Sequence, residues 1–137
     1  MISRFITSSI LVAAALALGS CGKTYEEFYF TGHCVGAEIC SSHTMGYLIE
    51  VDYPKDLGDT ITAYGKKYKN AIMGYRSPKM LKDGEVIYGV GYLQEGFAAL
   101  NCMGIYYYSI PEVVLLSVDE DSATVMSHLI GDESSDN

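Results

Sequence analysis

The metal-ligating side chains of this chain crowd closest in HCVGAEICSSH, which holds His33, Cys34, Cys40 and His43. Zinc asks for four such donors converging on a tetrahedron. In an extended chain His33 and Cys34 point to opposite faces, so at most two or three of the four can meet. Buried thiols and surface imidazoles are therefore expected here, with no metal and no other cofactor. Nucleophilic catalysis has no better footing, because no serine occupies a GxSxG elbow and His128 stands in an acidic C-terminal segment. We expect no catalytic residue and no enzyme. The glycine runs do not make phosphate loops: GDTITAYGKK has six residues between its glycines where such a loop has four, and no Ser or Thr follows its lysine.

Binding chemistry is concentrated in YGKKYKNAIMGYRSPKMLK, from Tyr64 to Lys82. Tyr64, Tyr68 and Tyr75 are interleaved with Lys66, Lys67, Lys69 and Arg76, the ingredients of a face that stacks on rings and holds anions. These seven residues form the candidate ligand surface. The plainer alternative is a lysine-rich hairpin whose tyrosines are half buried. IYYYSIP, from Ile105 to Pro111, is a second tyrosine-rich stretch.

Strands must position these residues, because the recurring apolar period is two. In GYLIEVDY the residues Tyr47, Ile49, Val51 and Tyr53 alternate with Leu48, Glu50 and Asp52. EVIYGVGYL sets Val86, Tyr88, Val90 and Tyr92 against Ile87, Gly89, Gly91 and Leu93, and glycines along one strand face mark a bend or a close approach. FYFTGHCVGAEIC predicts a long, curved first strand with Gly32 and Gly36 inside it. DTITAYG, KNAIMGY, CMGIYYYSI and EVVLLSV supply the rest, with turns at DYPKDLGD and KDGE. One short helix is predicted in SPKMLKDG, with Ser77 as cap, Pro78 in the first turn and Gly84 past the end. The sum is an all-β domain, closed so that no apolar face stays wet. Its element order resembles that of an oligonucleotide/oligosaccharide-binding (OB) barrel, a small Greek-key barrel, with a β-sandwich as the alternative.

The N-terminus carries an address. MISRFITSSILVAAALALGSC has Arg4 as its one charge, an apolar run from Ile10 to Leu18, and small residues before Cys21. Leu18-Gly19-Ser20-Cys21 resembles the lipobox of bacterial lipoprotein precursors. The resemblance implies cleavage before Cys21, lipidation of its thiol and a membrane anchor, since each buried methylene of an acyl chain adds about 0.8 kcal/mol. It is also similar to small envelope lipoproteins with an OB-like barrel. Residues 1–20 are then a signal peptide, 21–26 a lipidated tether, 27–118 the single β-barrel domain and 119–137 an acidic, disordered tail. Glu26 and Glu27 follow the anchor closely.

With Cys21 committed to lipid, Cys34, Cys40 and Cys102 remain, an odd number that allows one disulfide. Cys34 and Cys40 on one extended strand would stand about 20 Å apart, beyond disulfide reach. Cys102 with Cys34 or Cys40 is the candidate pair, and free buried thiols are the alternative. Without residues 1–20 the chain has 8 basic against 17 acidic residues, a net charge of −9, which argues against nucleic acid. The expectation is a lipid-anchored, non-catalytic binding or interaction module of the cell envelope, at the outer membrane, with an envelope protein or glycan as partner. A structural or accessory subunit of an envelope complex is the alternative.

Overall fold

A thirteen-residue first strand organises the molecule. The structure, a computed structural model, describes residues 25–39, 45–94 and 110–133. The expected signal segment, Cys21, Cys40, His43, Cys102 and the tyrosines of IYYYSIP lie outside the described residues. The elements are β1 (Glu27–Ile39), β2 (Met45–Tyr53), β3 (Asp59–Ala63), β4 (Lys66–Tyr75), β5 (Val86–Leu93), β6 (Glu112–Ser117) and a helix, α1 (Ser122–Glu133).

β1 is long enough to serve two neighbours. Its first half, Glu27 to His33, pairs antiparallel with β5, and Thr31 to Ile39 pairs antiparallel with β2. Register shifts at Thr31/Gly32 and Cys34/Gly36 mark where the strand bends between them. Gly32 is required at that bend, because a Cβ there would collide with the Glu50 carbonyl oxygen. From β2 the sheet continues to β4 and then to β6, which runs parallel to β4 and antiparallel to β5. The ring β1-β2-β4-β6-β5 thereby closes. Following partners around it, from Glu27 through Tyr92, Val114, Tyr75 and Gly46, leads back to β1 at Glu38, eleven residues further on. Such a stagger belongs to steeply tilted strands in a narrow barrel. The all-β, OB-like barrel is the fold, and closure of the ring excludes the sandwich.

Phe30, Cys34, Tyr47, Ile49, Ile72, Ile87, Val113 and Leu115 fill the interior. The glycine-bearing face of β5 turns inward, and Gly89 leaves the room that the fully buried Phe30 ring occupies. A second core lies outside the ring. The β3–β4 hairpin folds back over β1 and β2, so that Ala63, Ile61 and Tyr68 pack with Leu48, Ala71, Met73, Tyr75 and Val35. Tyr64 at its turn reaches Glu38, whose Oε1 accepts a hydrogen bond from the tyrosine hydroxyl at 3.2 Å.

Two sequence expectations change. Residues 77–84 form no helix, because their polar groups are used elsewhere. The Ser77 hydroxyl donates to the Lys79 carbonyl at 2.7 Å, Lys79 Nζ lies 2.7 Å from Asp119, and Gly84 N–H donates to the Cys34 carbonyl at 2.7 Å. The KDGE turn does form, with Glu85 N–H donating to the Lys82 carbonyl and Gly84 at φ +82°. The acidic segment expected to be a disordered tail is instead helical over Ser122–Glu133. Asp121 caps it: its Oδ2 accepts from both the backbone N–H and the hydroxyl of Thr124, each at 3.1 Å, and its carbonyl accepts the first helical bond from Val125.

Candidate functional site

The hairpin separates the seven residues of the expected ligand surface. Tyr75 is 3% exposed and Tyr68 half-buried, both drawn into the outer core. Aromatic side chains bury large apolar areas, and here that burial takes precedence over display. Tyr64 is exposed but tethered to Glu38, and burial together with that carboxylate pushes its hydroxyl pKa up to about 12. Lys66, Lys67 and Lys69 stay exposed on the first half of β4. Arg76 lies beyond the other end of β4, at φ +55°. The seven therefore make no common face.

The cysteine expectations resolve in part. Cys34 is a free, fully buried thiol, raised to about 11 chiefly by burial and next by the Asp83 carboxylate. The adjacent His33 points outward, as the strand alternation requires, and His33 Nε2 lies 3.6 Å from Glu50 Oε1. Among the described residues no three His, Cys, Asp or Glu side chains gather as a metal site.

A different set of residues does converge. The hairpin covers one part of the outer sheet and α1 another, and between them lies an open cleft of about 570 Å³. Thr31 of β1, Val86 and Tyr88 of β5, and Glu50 to Tyr53 of β2 line it. Lys55 of the β2–β3 loop, Lys69 and Asn70 of β4, and Met126 of α1 complete the lining. Of the expected surface, Lys69 alone belongs to it.

Asn70 builds this corner. Its carboxamide nitrogen donates to the Val51 and Pro54 carbonyls at 3.0 and 2.8 Å, and its oxygen accepts from Gly58 N–H at 2.6 Å. One buried side chain thus satisfies three backbone groups and fixes the loop that carries Lys55. Lys55 in turn holds its ammonium 5.5 Å from the centre of the Tyr53 ring, a cation–π contact. On the opposite wall α1 docks through the fully buried Val125 and through His128, whose ring stacks on Tyr29 at 4.0 Å and 5°. Glu120 N–H donates to the Tyr88 carbonyl at 2.9 Å, pinning the start of the helix to β5.

Asp52, Lys55 and Lys69 have no ion-pair partner among the described residues, and all three are exposed. The cleft thus offers two carboxylates, two ammonium groups and two tyrosine rings beside the apolar Val51, Val86 and Met126, at a volume typical of small-ligand sites. GYLIEVDY already holds its signal. Glu50 and Asp52 alternate onto the outward face of β2, and Tyr53 and Lys55 follow at its end. Tyr88 and Met126 are brought there by the closure of the ring and the docking of α1. No protein-family model, no curated protein and no solved structure matches the chain.

Proposed function

We propose that this chain is a lipid-anchored, non-catalytic binding module of the cell envelope, held at the outer membrane through Cys21, and that its cleft takes a carbohydrate. The lipobox supports the anchor. The cleft carries the ligand reading: Tyr53 and Tyr88 offer ring faces for the C–H faces of a sugar, Glu50 and Asp52 accept from its hydroxyls, and Lys55 and Lys69 donate to them. Val51, Val86 and Met126 give the lining its apolar part, as ligand clefts have.

Retention on a panel of immobilised cell-wall and capsular polysaccharides tests this reading. Asp52→Asn and Tyr53→Ala are expected to weaken retention about tenfold each, the equivalent of about 1.4 kcal/mol. Lys66→Ala with Lys67→Ala is expected to leave it unchanged. Loss on changing the hairpin lysines, with the cleft variants unaffected, would return the site to the hairpin.

A further inference from the structure

We infer that the barrel does not hang free of its anchor but rests on the membrane through the end that carries Tyr25, Tyr92 and Leu93, against a zwitterionic headgroup layer. This rests on the anchoring through Cys21 and adds an orientation to it. Tyr25 stands four positions after Cys21, with three residues between them, and four extended steps span at most about 14 Å. Whatever end of the barrel Tyr25 occupies is therefore kept within that distance of the bilayer surface.

The residues at that end suit an interface. Tyr25 is 51% exposed and its ring stacks on Tyr92 at 4.4 Å and 21°, so the chain leaves the barrel against β5 in a fixed direction. Leu93, next to Tyr92 at the end of β5, is 45% exposed. Tyrosine rings, apolar in body and polar at the tip, settle at headgroup level. The exposed Glu26 and Glu27 beside them have no ion-pair partner among the described residues. Two unpaired carboxylates suit a layer that presents ammonium groups without net charge, and anionic lipid would repel them. Ile39, which pairs with Met45, stands at the opposite end of β1, twelve residues along the strand from Glu27. Met80 lies close to Met45 there and is 81% exposed.

The chain has no tryptophan, so one introduced residue reports alone. The full chain is expressed in a lipoprotein-processing bacterium as Leu93→Trp, as Tyr25→Trp and as the far-end control Met80→Trp. Each is reconstituted into phosphatidylcholine vesicles with brominated acyl chains. Co-flotation and the intact mass establish the acylation of Cys21. The expected result is strong bromine quenching and a blue-shifted emission for the variants at 25 and 93, with neither for the variant at 80. Equal quenching at both ends in protein that floats and carries the acyl mass would overturn the orientation and leave the anchor standing. Protein without the acyl mass that fails to float would overturn the anchor and the orientation together. Tyr25→Trp keeps an aromatic ring for the stack, so a folding defect confined to Leu93→Trp does not decide the outcome.

Discussion

The two covers laid over the outside of the barrel differ in how much they seal. Where the β3–β4 hairpin packs on the barrel, Leu48, Ala71, Met73 and Tyr75 are almost wholly excluded from water. Beneath α1 the contact is thinner, with Val125 and the Tyr29–His128 stack as its main features, and polar side chains remain open beside it. The difference follows from what β2 presents outward along its length. Its upper outward position is Leu48, which must be covered, and its lower ones are Glu50 and Asp52, which stay wet. One cover completes a core and the other borders a site.

Truncating a side chain under each cover sharpens the contrast. Leu48→Ala removes a fully buried side chain between hairpin and barrel, and should cost about 3 kcal/mol of global stability in a urea titration. A loss below about 1 kcal/mol would mean that the hairpin is no better attached than the helix.

Alkali should act on two groups, one inside the barrel and one at the hairpin turn. The Cys34 thiol rises from an ordinary 9.0 to about 11 in the fold, and the Tyr64 hydroxyl from 10.0 to about 12. Both groups are favoured protonated in the folded state, so their contribution is complete below pH 9 and is lost as pH rises toward 11 and 12. The thiol alone implies a loss on the order of 2 kcal/mol across that window. Chemical denaturation at pH 8 and pH 11 checks it, with Cys34→Ser as the variant whose dependence flattens.

Val125→Ala should give the smallest of the three effects, about 1 kcal/mol, and a local one. Amide exchange is expected to quicken in Ser122–Glu133 while β1 and β5 stay protected. Equal quickening throughout would show that α1 belongs to the cooperative unit of the barrel.

Much of the barrel was legible because alternation and glycine placement report directly on a sheet. GYLIEVDY and EVIYGVGYL sort their residues onto two faces, and Gly32 and Gly89 mark the close approaches that bend and pack the strands. What alternation does not encode is which outward face a later segment will cover. Nothing local in KKYKNAIMGY says that Tyr68 and Tyr75 turn into a second core, because that depends on a hairpin folding back over β1 and β2. The helix is a different kind of miss. Acidic composition suggested disorder at the C-terminus, while Asp121-Ser-Ala-Thr124 spelled a cap that composition cannot see. The reverse holds at Ser77-Pro78, where start signals were present but Lys79 and Gly84 bond to Asp119 and Cys34 instead of to a helix.

The double pairing of β1 carries a mechanical meaning. Hydrogen bonds to β5 and β2 run across the strand on both of its edges, overlapping between Thr31 and His33. A pull applied ahead of Tyr25 therefore draws along β1 and strains both ladders at once, in shear, instead of opening them bond by bond. A chain loaded from its N-terminus would be gripped by the strand best placed to resist extraction.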